Sequence, residues 1–255
     1  MMKKIVASLA GTALFAIAAC GPQAGANQQT SATPMSQPSA ETEELVLVDL
    51  VVMNPGYDMA DREAYEAVIL QIAQRYDMEP IASYNIVQHL NGKAEDAIKL
   101  NLWSIPNPEA IQALGQDDDY QALESTRNQL HDFNQLTLYT AETIEQDLSA
   151  DAPIYLVDFA VMNDGYGLDE RLEYEANIRP IAERYGARVT QSYEMVNYLG
   201  GAVEDAIKLD LWALSGPDAV QQLNQDPEYQ AIIPHRNKIH DFDALTLYFA
   251  EPVDE

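Results

Sequence analysis

The chain of 255 residues carries 41 acidic and 14 basic side chains, which gives a formal net charge of −27 at pH 7. Its hydrophobic content of 47% suffices to bury two cores of about 100 residues each, which excludes a largely disordered chain. The negative charge opposes binding to nucleic acid and adhesion of the folded part to anionic lipid. Because Cys20 is the only cysteine, an intrachain disulfide and a cysteine-based metal site are also excluded.

The first 19 residues have the features of a signal peptide. A positively charged start precedes an apolar run at residues 5–18, which is too short for a comfortable membrane span. The small residues that end this run before Cys20 resemble the bacterial lipobox. The resemblance implies a lipidated Cys20 that anchors the chain in a membrane, and Gly21 in place of Asp favours the outer membrane, facing the periplasm. An ordinary secretory peptide with a stray cysteine is the alternative.

Residues 20–44 have the composition of a flexible segment. They are rich in Gln, Ala, Ser, Thr and Pro and contain no aromatic residue, so they cannot bury enough surface to become ordered. We therefore expect a disordered tether between Cys20 and the folded part.

The rest of the chain is a tandem repeat. The stretch Glu95–Trp103 returns as Glu204–Trp212 about 109 residues later, and no insertion interrupts the match on either side. We place the first repeat at 45–142, a linker at 143–153 and the second repeat at 154–251.

Each repeat shows the order strand, helix, strand, strand, helix, strand. In the first repeat, residues 45–53 alternate as a half-buried strand does, and apolar residues from Tyr65 to Tyr76 then recur at helical spacing. This order is the βαββαβ plan of the ferredoxin-like fold, which predicts an α+β protein.

Several pieces of the second repeat look like the domain-of-unknown-function 1330 family of dimeric α/β-barrel proteins. They are a tryptophan at the end of the third strand, Glu183–Arg188, and Asp226–Ala231 followed by Pro234 and Arg236. The first repeat departs from the pattern, with Asp77 where the family has Gly. The resemblance covers about four fifths of the chain. It implies two units that pair their sheets into a closed barrel, here as an intramolecular pseudodimer, and the family has no settled activity.

Charged residues on the apolar strands are candidate ligand-binding residues. If Val48, Leu50 and Val52 face the helices, the alternate side chains face the barrel interior, and Asp49 can meet Lys99 on the neighbouring strand. The side chains expected inside are Asp49, Lys99 and Trp103, with Asp158, Lys208 and Trp212 in the second repeat. Such a set can form a polar cavity for a small ligand, or ion pairs that fix the register of the barrel.

Arg127 and Arg236 occupy matched places in the last turns of the second helix, each four residues before a histidine. They are further ligand-binding candidates, although Arg and His at a helix C-terminus are equally explained by favourable electrostatics there. Because the adjacent His and Asp residues point apart on a helix, we expect no metal site.

The wider superfamily includes cofactor-free quinone-forming monooxygenases and haem-degrading monooxygenases. The resemblance to the latter implies an Asn on the first strand, a Trp on the third and a His on the second long helix. This chain offers Asn54 with Trp103, and Asn163 with Trp212 and His235, so the set is complete only in the second repeat. Asn54, Asn163 and His235 are therefore the catalytic candidates of this alternative.

The sequence favours an envelope lipoprotein that binds a small molecule or a protein partner, without catalysis or cofactor. The alternative is a cofactor-independent or haem-linked monooxygenase-like oxidoreductase, and a third class is a structural or interaction protein that uses its acidic surface. Nothing in the sequence indicates hydrolysis. An open cavity around Asp49, Lys99 and Trp103 would favour a ligand or an enzyme, and a filled one would favour the interaction protein.

Overall fold

A computed structural model describes residues 45–253; the predicted signal peptide, Cys20 and the tether lie outside these residues. The first repeat contains β1 (Leu45–Val52), α1 (Met59–Ala73), β2 (Glu79–Asn91), β3 (Ala97–Ile105), α2 (Pro108–Gln116), α3 (Asp118–Ala122), α4 (Glu124–Leu130) and β4 (Thr137–Gln146). The second contains β5 (Ile154–Ala160), α5 (Leu168–Glu183), β6 (Ala187–Gly201), β7 (Lys208–Leu214), α6 (Asp218–Gln225), α7 (Pro227–Ile239) and β8 (Thr246–Pro252).

The eight strands form one closed antiparallel barrel in the order β1-β3-β2-β8-β5-β7-β6-β4. Within each repeat the first strand lies between the third and the fourth. The repeats meet twice, where β2 pairs with β8 and β4 pairs with β6. The chain therefore has a mixed α+β fold consistent with a pseudodimer, and closure of the barrel removes the free sheet edges.

The interior of the barrel is filled by one apolar core that draws on both repeats. Its most deeply buried members include Val48, Leu50, Leu100, Leu102, Tyr139, Val157, Phe159, Leu209, Leu211 and Tyr248. Because both repeats contribute to this core, it also supplies the apolar contact that holds them together.

The outer face of the sheet is covered by helices of the same repeat. Trp103 packs with Ile72 and Leu114 in the first repeat. Trp212 packs with Tyr174 and Ile178 in the second, so both tryptophans belong to the layer between helices and sheet. None of the helices described within residues 45–253 is both long enough and apolar enough to cross a membrane.

Each long hairpin reaches the opposite repeat and docks there through a glycine. Gly201 has a φ of +120°, and a Cβ at this position would lie 1.7 Å from the carbonyl oxygen of Leu136. Gly92, at a φ of +90°, approaches the backbone of Leu245 and Thr246 in the same way. Only glycine can adopt a positive φ while its α-carbon lies this close to another backbone. Gly92 and Gly201 therefore allow the two hairpins to pack against the opposite repeat.

Candidate functional site

The charged side chains of the strands face the helices and not the barrel interior, so the predicted lumenal position is wrong. Arg62 and Glu66 of α1 provide the partners: Arg62 Nη2 donates to Asp49 Oδ2 at 2.6 Å, and Lys99 Nζ donates to Glu66 Oε2 at 2.5 Å. The expected direct pair of Asp49 with Lys99 is thus replaced by two separate pairs. Alternation along a strand shows which side chains share a face but not which face is the interior. A sealed lumen favours side chains that need no polar partner.

The second repeat requires the same correction. Asp158 Oδ2 accepts from Arg171 Nη2 at 2.6 Å, and Lys208 Nζ donates to both oxygens of Glu175, at 2.5 and 2.6 Å. Arg171 and Glu175 lie on α5, as Arg62 and Glu66 lie on α1.

Two equivalent polar clusters result, one between the helices and the sheet of each repeat. We call Asp49, Arg62, Glu66, Lys99, Asn101 and His131 the first cluster. We call Asp158, Arg171, Glu175, Lys208, Asp210 and His240 the second cluster. The two differ in one residue type, since Asn101 of the first is replaced by Asp210 in the second.

The extra carboxylate of the second cluster has a compensating arginine. Asp210 accepts from Arg171 Nη2 at 2.7 Å and from Lys208 Nζ at 2.6 Å, and it is fully buried. Arg179 of α5 reaches the same cluster, with Nη2 3.3 Å from Glu175 Oε2, while its Nη1 lies 2.6 Å from Glu145 Oε2. The first repeat has Leu70 in the place of Arg179, so the additional negative and positive charges occur together.

The two glutamates respond oppositely to their surroundings. Burial alone would raise the pKa of Glu66, but Arg62 and Lys99 hold it below its ordinary value. In the second cluster, burial and the neighbouring charge of Asp210 raise the pKa of Glu175. Although burial opposes it, Arg171 and Lys208 hold the pKa of Asp210 well below its usual range. Two adjacent carboxyl groups with pKa values displaced in opposite directions can divide the roles of acid and base.

A buried neutral histidine completes each cluster. His131 Nδ1 lies 2.9 Å from the carbonyl oxygen of Arg127, and His240 Nδ1 lies 2.9 Å from that of Arg236. Because Nδ1 must donate there, Nε2 accepts from the cluster arginine, at 2.8 Å from Arg171 in the second repeat. Burial and the nearby guanidinium of Arg171 lower the pKa of His240 to about 4.

Sequence reasoning did not single out Arg62, Glu66, Arg171 or Glu175. A signal was present, because Arg62 precedes Tyr65 and Ile72 on the face of α1 that becomes buried. The charged pair of Arg62 and Glu66 returns in the second repeat as Arg171 and Glu175. Because charged side chains on a buried helix face need partners, this pair predicts charged residues on the facing sheet.

Arg127 and Arg236 lie outside the clusters and stack on aromatic rings. The guanidinium of Arg127 is 4.9 Å from the ring centroid of Tyr120, and that of Arg236 is 4.8 Å from that of Phe242. Their side chains are therefore not brought together with Asp49, Lys99 or the second-repeat counterparts of these residues.

The residues expected around a haem do not fit that group. The side-chain amide of Asn54 donates to the carbonyl oxygens of Gln129 at 3.0 Å and His131 at 2.9 Å, so it closes the C-terminus of α4. Asn163 does the same for α7, with donation to the carbonyl oxygen of His240 at 2.8 Å. His235 is exposed on α7, whereas Trp212 is buried. These side chains do not converge on a common cavity.

Each helix layer contains a cavity. A groove of about 440 Å³ lies between α1 and α3, lined among others by Val68, Ile72 and Leu123. A smaller pocket of about 110 Å³ lies between α5, β6 and the end of β4, with Trp212 and Arg179 in its wall. Over residues 45–253, no group of three or more His, Cys, Asp or Glu side chains is placed to hold a metal ion.

Comparison with known proteins identifies the fold. No protein-family model matches the chain, and no curated protein matches its sequence. An anthrone oxidase-like protein is similar in structure with a TM-score of 0.54 and 13% identity, over 85% of this chain and 94% of the other. A mutant chlorite dismutase from Candidatus Nitrospira defluvii gives 0.50 and 12% identity, over 84% of this chain and 93% of the other. The chain therefore has the dimeric α/β-barrel fold.

Proposed function

We propose that the chain binds a small molecule in the helix–sheet layer of its second repeat. The proposal rests on the pocket of about 110 Å³ beside Trp212. Arg179 lines this pocket and also contacts Glu175, so the pocket adjoins the second cluster. An aromatic surface with a few fixed polar groups is typical of small-molecule sites. Of the residues expected to bind a ligand, Trp212 lines this pocket, and we assign Asp158 and Lys208 the supporting role of holding the cluster behind it.

The filled barrel interior counts against a ligand site in the lumen and, by the criterion taken from the sequence, favours an interaction protein; the small-molecule site that we propose therefore lies outside the lumen. The lumenal core contains fully buried residues such as Val48, Leu100 and Phe159, which leave the helix layers as the place for a ligand. In the first repeat, Leu70 stands where Arg179 stands in the second, so we assign the ligand to the second repeat alone.

A second candidate function is that of a monooxygenase-like oxidoreductase that works without haem. The fold neighbours, an anthrone oxidase-like protein and a chlorite dismutase, support this class better than they support binding alone. The specific observation in its favour is the carboxyl pair of Glu175 and Asp210, whose pKa values are displaced in opposite directions.

In such an oxidation a base removes a proton from an activated CH₂ group, and O₂ takes up the electrons. One oxygen atom of O₂ becomes the carbonyl oxygen of the product, and the other leaves as water with the two hydrogens. We assign Glu175 as the base. Because Glu175 is only 1% exposed, this role requires that Arg179 move aside when the substrate binds.

The test of binding is native mass spectrometry of the full chain extracted from its own membrane. We expect a co-purifying small mass on the wild type that is lost in Ala187→Met, which places the larger residue of the first repeat, Met78, in the wall of the pocket. The control is Ala176→Met, which makes the same change at an exposed position of α5. A bare chain in the wild type, or equal retention in both variants, would overturn the proposal.

Oxygen uptake separates the two candidates. If the chain is an oxidoreductase, the wild type consumes O₂ with the eluted compound, and Glu175→Gln retains the compound but consumes none. Retention without O₂ uptake by the wild type would assign binding alone.

We also propose that Cys20 is acylated and anchors the chain in the outer membrane, with residues 20–44 as the tether. Two or more acyl chains make such an anchor stable. Cys20→Ser should release the protein from the membrane pellet and abolish labelling by a fatty-acid analogue. Persistent membrane association of the variant would contradict this assignment.

A further inference from the structure

The pocket beside Trp212 has an unbalanced charge. Arg179 is paired with Glu145 at 2.6 Å, and Arg188 is paired with Asp147 at 3.3 Å. Glu183 of α5 also lines the pocket, and among residues 45–253 no lysine or arginine lies within ion-pair distance of it. The five charged residues of the wall therefore carry a net charge of −1.

Both arginines of the pocket are already neutralised, whereas the exposed carboxylate of Glu183 is available to a ligand. An arriving anion would have to break an existing ion pair and would meet the uncompensated charge of Glu183. An arriving cation would meet neither obstacle. The formal charge of −27 on the whole chain attracts cations over a longer range as well.

The walls also suit the apolar part of an organic cation. Trp212, Val189 and Ala187 supply apolar surface, and the face of a tryptophan attracts a cation electrostatically. The volume of about 110 Å³ admits a molecule of a few non-hydrogen atoms. An alkylammonium ion combines the two requirements, since its nitrogen can donate to carboxylates while its alkyl group contacts the tryptophan.

We infer that this pocket is a binding site for a small alkylammonium ion, held by Glu183 and the wall of Trp212. The inference rests on the proposed function, for which it names the chemical class of the ligand. The first repeat has Gln74 in the place of Glu183, Glu79 in that of Arg188 and Leu70 in that of Arg179, so the site belongs to the second repeat.

Arg179 couples the site to the second cluster. Its two terminal nitrogens contact Glu145 at the pocket and Glu175 in the cluster. Because the cation is held by Glu183, it leaves the ion pair of Arg179 with Glu145 in place.

The test uses the intrinsic fluorescence of Trp212 in the full-length protein. Trp103→Phe removes the other tryptophan, and circular dichroism verifies that each variant is folded. Ethylammonium chloride is titrated against sodium chloride at equal ionic strength, with sodium acetate as the anionic probe. We expect a saturable response to ethylammonium only, with a Kd about tenfold weaker in Glu183→Gln because a charged hydrogen bond is lost.

The matched control is Glu173→Gln, which removes the same charge from an exposed position on the same helix. It should leave the Kd unchanged. Equal weakening by both substitutions would indicate general charge screening and would overturn the inference. A saturable response to acetate but not to ethylammonium would overturn the ligand class while leaving a small-molecule site in place. A response to neither probe overturns the inference, and the proposed function is then judged by co-purification alone.

Discussion

Glu175 and Asp210 are bridged by a single ammonium group, with Lys208 Nζ 2.5 Å from Glu175 Oε1 and 2.6 Å from Asp210 Oδ1. In the first repeat the equivalent lysine, Lys99, bonds to Glu66, and the neighbouring position is the neutral Asn101. One residue therefore converts a balanced buried cluster into one with an extra carboxylate.

Exchange of these two residues should have unequal effects on stability. Asp210→Asn leaves an amide that still accepts from Lys208, so we expect a loss of about 1 kcal/mol in the free energy of unfolding. Asn101→Asp buries a carboxylate in the first repeat, where Leu70 occupies the position of Arg179 and no arginine compensates the charge. We expect the free energy of unfolding to fall by about 3–5 kcal/mol. Urea unfolding of both variants measures the difference.

The double variant Asn101→Asp, Leu70→Arg is the matched rescue, because it supplies the first repeat with the counterpart of Arg179. It should recover part of the stability lost in Asn101→Asp alone. Equal stability of Asp210→Asn and Asn101→Asp would contradict the compensating role of Arg179.

The family resemblance implied the closed barrel, but the face of the sheet on which its charged side chains lie was predicted wrongly. The gapless repeat and the strand order were sufficient for eight strands in two equivalent halves, because pairing in this plan follows from element order. The position of Asp49 and Lys99 could not follow from the strands alone, since both faces of a closed barrel are covered. The deciding partners, Arg62 and Glu66, come from a helix, and helix packing is a tertiary property.

The pocket beside Trp212 was beyond sequence reasoning for a different reason. Its walls come from α5, β6, β7 and the end of β4, which are separate in the chain and meet only in the folded barrel. Strand alternation selected Trp212 as a residue of the barrel interior, whereas it packs between the helices and the sheet. Nothing in the sequence indicated that Glu145 and Arg179 would meet there.

Asn163 should contribute to stability through the end of α7. Its amide donates to the carbonyl oxygens of Lys238 at 3.1 Å and His240 at 2.8 Å, so Asn163→Ala should lower the free energy of unfolding by about 1–2 kcal/mol. Thermal or urea unfolding measures the loss. The control is Asn177→Ala on the exposed face of α5, where we expect a change within about 0.5 kcal/mol. An unchanged stability in Asn163→Ala would contradict the assigned role.

The stability of the protein should fall between pH 6.5 and pH 4 through its buried histidines. In the unfolded chain a histidine binds a proton near pH 6.5, whereas burial and Arg171 lower the pKa of His240 to about 4 in the folded state. In this window the unfolded state binds more protons, so stability is lost as the pH falls. The shift corresponds to about 3 kcal/mol for His240, and the pKa of His131 is lowered in the same direction.

His240→Gln tests this contribution, because the amide oxygen can still accept from Arg171 but cannot titrate. Urea unfolding at pH 7 and pH 4.5 should show a smaller loss of stability in the variant than in the wild type. The other titrating groups are common to both proteins and cancel in the comparison. The same loss in both would exclude His240 as a source of the pH dependence.

We expect the hydroxyl groups of Tyr139 and Tyr248 to stabilise the contact between the two repeats. Tyr139 Oη donates to the carbonyl oxygen of Val203 at 2.7 Å and accepts from the backbone nitrogen of Ala206 at 3.2 Å, across the repeat boundary. Tyr248 Oη lies 2.9 Å from the carbonyl oxygen of Ala94 in the opposite repeat. Replacement of either by phenylalanine keeps the ring in the lumenal core but leaves buried backbone groups without a partner. We expect each substitution to lower the free energy of unfolding by about 1–3 kcal/mol.

The matched control is Tyr198→Phe, which removes a hydroxyl that bonds within its own hairpin to the carbonyl oxygen of Gly201 at an exposed site. Because water can replace that bond, we expect a change of at most about 0.5 kcal/mol. Hydrogen exchange locates the effect: Tyr139→Phe should accelerate exchange at the β6–β7 hairpin, and Tyr248→Phe at the β2–β3 hairpin. Acceleration spread evenly over the barrel would mean that the hydroxyls support the core as a whole. Faster exchange confined to one hairpin means that each tyrosine holds the hairpin of the opposite repeat.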